Sequence, residues 1–159
     1  TQGIAAEELT ERAGGLGLLG ACVLAFVSRS SSFAFTEVRL GVAPAIISLT
    51  VLPRLTDRSA SRYFLTGERF DADEAARIGL VTQAVDDVWA AADPVLDAFR
   101  ACSPQGLAET KPLLTGGLLA AFDDRAEDLA HLSARLFASD EAREGITAFL
   151  EKRPPSWAT

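Results

Sequence analysis

The sequence contains no methionine, one histidine and two cysteines, and each scarcity argues against a class of site. Two cysteines cannot form the disulfide framework of a small secreted domain. We therefore predict that Cys22 and Cys102 are buried reduced thiols and that the protein is cytoplasmic. His131 lies within a helical pattern and is predicted to be a surface or packing residue. One histidine and two distant cysteines offer no metal-ligand spacing, so no metal site is predicted.

Basic residues and long apolar runs are also scarce. The 15 Lys and Arg residues against 22 Asp and Glu residues give a net charge of −7, which disfavours non-specific binding to nucleic acid. No stretch reaches the ~18 to 20 apolar residues that cross a bilayer, and the longest, residues 16–27, is predicted to be buried core. We see no basic-then-apolar leader at Thr1. Without an initiator methionine, we expect a processed terminus or part of a longer protein.

Two common catalytic motifs are missing as well. The sequence has no G-x-S-x-G elbow and no G-x-x-x-x-G-K-[ST] phosphate loop. Residues 15–20 do fit G-x-G-x-x-G, with Glu37 twenty residues beyond Gly17, as in a dinucleotide-binding fingerprint. That fingerprint follows a hydrophobic strand and opens a full-length helix, whereas the residues before it are charged and helix-like. A nucleotide site is therefore not predicted.

The remaining pattern predicts a mixed N-terminal half and a helical C-terminal half. Residues 1–11 resemble a polar helical stub, and short strands are predicted at the end of the 16–27 run, at 33–35 and at 80–85. Pro44 suits the first turn of a helix. Gly67 is a predicted helix C-cap, and Asp71 or Asp73 is a predicted N-cap. Further amphipathic helices are predicted over 88–101, 104–114, 122–137 and 140–150.

The glycine run and Glu37 are the features with chemical potential. Backbone N–H groups at a glycine-rich turn into a helix can receive an oxyanion. Glu37 lies between Phe35 and an apolar run, where burial would raise its pKa and make it a usable acid or base. The alternative is an exposed loop glutamate paired with Arg39 or Arg54, and the sequence leaves that alternative open.

Several segments in order resemble the crotonase superfamily, the enoyl-CoA hydratases and isomerases. Residues 13–22 (AGGLGLLGAC) resemble its GGG-x-E-L-A-x-x-C-D segment, and residues 33–44 (FAFTEVRLGVAP) resemble F-x-x-P-E-x-x-L-G-x-x-P. Residues 65–75 (LTGERFDADEA) are similar to L-T-G-x-x-x-x-A-x-E-A, followed by G-L-V at 79–81. Ser103-Pro104 with Lys111, and residues 144–153, complete a match over about residues 12–153.

This resemblance implies a site on an acyl-CoA thioester. Gly14 corresponds to a backbone N–H donor of the family's oxyanion hole, and Glu37 to the second of the hydratases' two glutamates. Gly15, Leu16 and Pro44 are implied to bind substrate, as is Lys152, which with Arg153 is a candidate partner for CoA phosphates. Exposed basic residues without that role are the alternative. No cofactor is implied, because CoA is part of the substrate.

The sequence departs from the family pattern in three places, and each departure affects the function or fold that the resemblance implies. Gly17 stands where the hydratases have their first glutamate, and several isomerases of the family keep only the glutamate that corresponds to Glu37. Val23 replaces an Asp to which a structural role is attributed. The family fold also has a long segment before the glycine run, which supplies the other oxyanion donor, and residues 1–11 resemble none of it and lack the strand expected there. The chain is thus expected to lack most of the family's N-terminal part.

The fold expected from the resemblance is α/β, a ClpP/crotonase-like spiral of ββα turns with a helical C-terminal trimerisation region. Residues 1–11 are an unassigned stub, 12–102 the C-terminal part of the spiral core, and 103–159 the trimerisation region. The expected assembly is a homotrimer or dimer of trimers. The expected activity is that of an enoyl-CoA hydratase or a 3,2-enoyl-CoA isomerase. A non-catalytic homologue that binds acyl-CoA or only assembles stays open, as does a generic helical domain.

Overall fold

A computed structural model describes residues 5–7, 10–12 and 14–158 of the chain. Its elements alternate between strands and helices up to residue 85 and are helical thereafter. The strands are β1 Ala5–Glu7, β2 Thr10–Arg12, β3 Ala25–Ser28, β4 Ser32–Ala34, β5 Phe70–Asp71 and β6 Gln83–Val85. The α-helices are α1 Gly14–Ala21, α2 Ser48–Val51, α3 Asp57–Thr66, α4 Ala72–Arg77, α5 Val88–Ala101, α6 Pro104–Phe137 and α7 Asp140–Leu150, with 3-10 helices at Thr36–Leu40 and Leu52–Arg54.

The strands form two three-stranded sheets, and strands that are consecutive in the sequence belong to different sheets in β1 to β4. One sheet has the order β1-β3-β6 and the other β2-β4-β5. Strand β1 is hydrogen-bonded in parallel to β3, and β2 is hydrogen-bonded in parallel to β4. Helix α1 lies between β2 and β3 in the sequence and so connects the two ββ units. This is the predicted spiral of ββα turns.

The N-terminal prediction was wrong. Residues 5–7, 10 and 11 of the predicted helical stub lie in strands, and β2 is the strand that was predicted to be missing before the glycine run. Alanine and glutamate favour helix locally. Pairing of Ala5–Glu7 with β3 and of Thr10–Arg12 with β4 supplies backbone hydrogen bonds that outweigh this local preference.

An aromatic cluster joins the second sheet to helix α3. Phe33 and Phe35 are fully buried, and the Phe70 ring centroid lies 5.8 Å from that of Phe33 and 4.3 Å from that of Tyr63. Fully buried Leu16 ties α1 to the same core. Burial of such aromatic surface is a main source of stability in a domain of this size. The core thus holds fixed the strand ends from which the glycine run and Glu37 emerge.

The helix boundaries follow the predicted caps. Gly67 ends α3 in the left-handed region with φ 61°, and the Asp71 side chain accepts a hydrogen bond from the Glu74 N–H at the start of α4. Helices α5 and α7 have the predicted bounds. The helix expected from Pro44 instead begins at Ser48, after a turn.

The two helices predicted over 104–114 and 122–137 are one helix of 34 residues, α6. Gly116 and Gly117, which fall between the two predicted helices, lie within it. Two interior glycines cost about 1 kcal/mol each relative to alanine, which is too little to end a helix without a capping residue. Ser103 caps the start of α6, and Ser139 is the next N-cap along the chain.

The cysteine prediction was correct in one respect and wrong in another. Both thiols are free, but Cys22 is only half-buried and Cys102 is exposed at the end of α5. Each thiol lies 3.2–3.4 Å from the carbonyl four residues earlier, as expected for a cysteine at a helix end. His131 is exposed on α6, as predicted. Over the described part of the chain, no helix is both long enough and apolar enough to cross a membrane.

Candidate functional site

Gly14 and Glu37 leave the same edge of one sheet. Strands β2 and β4 are parallel neighbours in which Arg12 pairs with Ala34. Gly14 follows Arg12 by two residues and begins α1, and Glu37 follows Ala34 by three residues in the 3-10 helix. Parallel neighbouring strands lie about 4.8 Å apart and end at the same edge. The topology therefore places the predicted oxyanion donor and the predicted acid/base at the same edge of this sheet, after neighbouring strands.

The 3-10 helix of Glu37 is fixed at its end by a left-handed glycine. Gly41 has φ 76°, and its N–H donates to the Glu37 backbone carbonyl. The Val42 N–H also donates to that carbonyl, with an N···O distance of 3.1 Å. Glycine adopts this φ without the strain that a side chain would impose. The turn thus holds the Glu37 main chain in place.

Helix α7 interlocks with this turn through two glycines. A Cβ on Gly41 would lie 2.6 Å from the Glu141 backbone, and a Cβ on Gly145 would lie 2.5 Å from the Leu40 carbonyl. A residue with a side chain at either position would therefore force α7 and the 3-10 helix apart. Helix α7 is therefore a direct support of the segment that carries Glu37.

The Glu37 carboxyl is partly buried and short of partners. Its Oε2 atom is buried, and no hydrogen-bond partner for it occurs among the described residues. Burial raises the pKa of Glu37 above its usual value, and its own backbone N–H offsets this in part. The raised pKa is closer to neutral pH, and a carboxyl with such a pKa can both accept and return a proton.

The alternative of an ion-paired surface glutamate is wrong. Arg39 donates from Nε to the Thr66 carbonyl at 2.9 Å. Arg54 donates to the carbonyls of Gly20 and Cys22, each at 3.0 Å, at the end of α1. Neither arginine forms an ion pair with Glu37 within the part of the chain that the structure describes. Both guanidinium groups donate hydrogen bonds to main-chain carbonyls instead.

We expect Glu37→Gln to stabilise the fold near neutral pH. A carboxyl whose folded pKa is raised contributes its stability below the unfolded pKa and loses it as the pH rises through the folded value. The ionised wild-type side chain is thus unfavourable at about pH 7, and neutral glutamine removes that cost. Urea unfolding should give the variant the larger free energy of unfolding at about pH 7, with a smaller difference at about pH 4. Equal differences at both pH values would contradict the burial of an ionisable group.

The other predicted substrate-binding residues of the glycine run and the Pro44 loop are in different environments. Gly15 is half-buried in α1, whereas Leu16 is fully buried in the core and so offers a substrate only its main chain. Pro44 is buried in the segment between the 3-10 helix and α2. Its carbonyl accepts from the Ser48 N–H at 3.1 Å. Pro44 therefore shapes the loop that leads from Glu37 to α2.

The two C-terminal basic residues differ in how they are held. Arg153 is paired with Glu144 and Glu151, and both contacts raise its pKa. The Arg153 guanidinium and the Ser156 N–H together hold the pKa of Glu144 at about 2. Lys152 is exposed just beyond α7 and has a left-handed φ of 54°. Of the two predicted phosphate partners, Lys152 is the one outside this ion-pair network.

Sequence reasoning missed a cavity beside the 3-10 helix. It has a volume of about 530 Å³, within the range of small-molecule sites. Thr36, Arg39 and Leu40 line one side, and Phe149 and Arg153 line the other. The lining residues come from segments distant in the sequence, so no local motif marks them.

Gly17 packs tightly against α2, which the sequence also did not reveal. Its carbonyl accepts a hydrogen bond from Thr50 Oγ1 at 2.8 Å. A Cβ on Gly17 would lie 2.9 Å from Ile47 Cγ2. The position that the resemblance pairs with a carboxylate is therefore in close contact with the Ile47 side chain.

Comparisons with known proteins agree with this architecture. The family profile described as enoyl-CoA hydratase/isomerase matches residues 4–159. The solved structure of an enoyl-CoA hydratase from Mycobacterium avium is 58% identical with a TM-score of 0.95, and the match covers 98% of this chain and 62% of that one. A carnitinyl-CoA hydratase structure from the same species is 30% identical with a TM-score of 0.86, covering 98% and 62%.

Curated relatives give the same family. A crotonyl-CoA hydratase of Syntrophomonas wolfei is 32% identical over 143 residues, which cover 88% of this chain and 55% of that protein. A mevalonyl-coenzyme A hydratase of Aspergillus fumigatus is 31% identical over 149 residues, covering 91% and 55%. The chain thus spans a little over half the length of the curated relatives that it matches.

Proposed function

Since the chain belongs to the enoyl-CoA hydratase/isomerase family, we propose that it acts on an enoyl-CoA thioester with Glu37 as the general acid/base. The observation that carries this proposal is the buried Glu37 Oε2 atom, which has no hydrogen-bond partner among the described residues, at the sheet edge where Gly14 begins α1. Burial and the raised pKa of Glu37 suit proton transfer to and from carbon. The proposed chemistry uses no cofactor apart from the CoA of the substrate.

The α proton of a thioester is weakly acidic, so the enolate must be stabilised for Glu37 to remove it. In the proposed site the Gly14 N–H donates to the thioester oxygen as negative charge develops there. A donor of this kind contributes about 3 to 4 kcal/mol to the transition state. The position of Gly14 at the start of α1 adds the favourable end of the helix dipole.

A single carboxylate supports isomerisation of a 3-enoyl-CoA to a 2-enoyl-CoA. Glu37 removes a proton from C2, and the electron pair moves through a dienolate whose charge rests on the thioester oxygen. The protonated Glu37 then returns the proton to C4, and the double bond lies between C2 and C3. No atom is gained or lost. Gly17 provides no second carboxylate, which is why this reaction is favoured over hydration.

Hydration is the second candidate, because several curated relatives carry hydratase names. In the two-glutamate mechanism both carboxylates hold and deprotonate water. Glu37 alone would have to perform both tasks. A third possibility is an acyl-CoA-binding homologue that catalyses neither reaction.

The test is turnover by the protein expressed from its complete gene. It is given a 3-enoyl-CoA and a 2-enoyl-CoA of equal chain length, and products are followed by the absorbance of the conjugated thioester and by mass. We expect the 3-enoyl-CoA to gain conjugation without a change in mass. Faster addition of one water to the 2-enoyl-CoA would favour a hydratase. Binding of both thioesters without conversion would favour the non-catalytic homologue.

We also propose that α6 mediates trimer formation. This helix has 34 residues, about 50 Å in length, and leaves several large apolar side chains exposed. Leu113, Leu114 and Leu119 are 83%, 67% and 55% exposed. Apolar surface of this kind on a soluble chain marks an interaction site, and a second copy of the same helix offers a matching surface.

Leu113→Glu should therefore dissociate the proposed trimer, because it introduces charge into an apolar interface. Leu65→Glu is the matched control, since Leu65 is 76% exposed on α3, away from α6. Sedimentation velocity at equal concentration should give a lower mass for Leu113→Glu only. A wild-type monomer, or an unchanged mass for the Leu113 variant, would contradict the proposal.

A further inference from the structure

We infer that Ile47 restricts the site to carbon-to-carbon proton transfer by occupying the space from which a second carboxylate would act. This inference rests on the proposed function. It goes further by naming the residue that keeps position 17 from holding a second carboxylate. Gly17 lacks a carboxylate, which a single substitution to glutamate could supply. Ile47 is a physical obstacle to a glutamate side chain at that position.

The obstacle is seen in the contact between α1 and the start of α2. A Cβ on Gly17 would lie 2.9 Å from Ile47 Cγ2, closer than carbon atoms approach in proteins, but 3.5 Å from Ile47 Cβ, an ordinary contact. The obstruction therefore comes from the branched methyl group. A glutamate at position 17 cannot be accommodated until that group is removed.

The methyl group cannot readily move aside. Isoleucine is branched at Cβ, which restricts χ1, and Ile47 is half-buried against the hydrophobic core. Thr50 Oγ1 lies 2.8 Å from the Gly17 carbonyl and 3.2 Å from the Ile47 carbonyl. The contact with the Gly17 carbonyl joins α2 to α1, so the gap cannot widen without loss of that hydrogen bond.

The position of this contact gives it a chemical consequence. Gly17 lies three residues after Gly14 on α1, which is about 4.5 Å along the helix axis. Hydration requires that a water O–H bond breaks, that the oxygen bonds to C3 and that a proton is added at C2. Such a water must be held and deprotonated by polar groups. Ile47 presents hydrocarbon there, which neither accepts a hydrogen bond nor removes a proton.

Four proteins test the inference: wild type, Ile47→Ala, Gly17→Glu and the double variant Gly17→Glu/Ile47→Ala. Each is assayed for hydration of a 2-enoyl-CoA and for isomerisation of a 3-enoyl-CoA. Ile47→Ala removes Cγ2 and keeps Cβ, so it opens the space for a side chain at position 17. We expect the double variant to hydrate at least tenfold faster than wild type or either single variant. Gly17→Glu alone should lower Tm because the obstruction remains.

The matched control is Gly17→Gln/Ile47→Ala, which has the same size without a base and should gain no hydration. Should the glutamate variant fail to fold, the shorter Gly17→Asp/Ile47→Ala is compared with Gly17→Asn/Ile47→Ala. Hydration by Gly17→Glu alone at the rate of the double variant would overturn the role of Ile47. So would a folded double variant that isomerises without hydrating, and in that case the proposed function stands. If no protein acts on either thioester, the proposed function fails, and this inference fails with it.

Discussion

Glu37→Gln should lower the rate of enoyl-CoA isomerisation by a factor of about 10² to 10⁴, the usual contribution of a positioned general acid/base. Glutamine preserves the size of the side chain but cannot take a proton from C2 and return it to C4. The loss should appear in kcat, since the thioester would still bind at the glycine run. Steady-state kinetics with a 3-enoyl-CoA measure it.

The control for this variant is Glu127→Gln on the exposed surface of α6, about two turns beyond the leucines of the proposed interface. It makes the same chemical change away from the site and should leave kcat within a factor of two. Because Glu37→Gln is also expected to stabilise the fold at neutral pH, unfolding cannot explain its loss of activity. Wild-type kcat in the Glu37 variant would exclude Glu37 as the acid/base.

Gly145→Ala should destabilise the protein by about 1 to 3 kcal/mol, although alanine is the better helix former. The added Cβ would lie 2.5 Å from the Leu40 carbonyl, so α7 must move away from the 3-10 helix that carries Glu37. Activity should fall together with stability, since the turn loses its support. Urea unfolding and kcat on the same preparation measure the two effects.

Gly116→Ala is expected to have the opposite effect on stability to Gly145→Ala. Gly116 is interior to α6, and nothing lies within 4 Å of the Cβ that would be added. In the Leu113→Glu background, where the proposed trimer is dissociated, helix propensity then acts alone and should stabilise the chain by about 0.5 to 1 kcal/mol. If both substitutions changed stability equally, the interlock between α7 and the 3-10 helix would not exist.

Local sequence signals were sufficient where one residue determines a local structure. Gly67 and Asp71 could be identified as caps because a left-handed C-cap and an N-cap carboxylate are properties of single positions. The bounds of α5 and α7 were predictable for a related reason. Each follows a capping side chain and carries an amphipathic pattern, which together mark both the start and the buried face.

Features set by distant contacts could not be read from the sequence. Strands β1 and β2 have helix-favouring residues and form only because β3 and β4 pair with them. The motif order suggested Glu37, but its burial and the bonding of Arg39 and Arg54 to main-chain carbonyls depend on tertiary packing. Ile47 carries no signal at all, because its importance arises only from contact with Gly17, thirty residues earlier.

The most direct test of a single carboxylate that moves a proton between carbons is isotope transfer. A 3-enoyl-CoA labelled with deuterium at C2 is converted in ordinary water, and the 2-enoyl-CoA product is analysed for deuterium at C4. Because Glu37 Oε2 is buried, it should return much of the deuterium to C4 before exchange with solvent. A product without deuterium at C4, or no conversion of the 3-enoyl-CoA, would contradict the account.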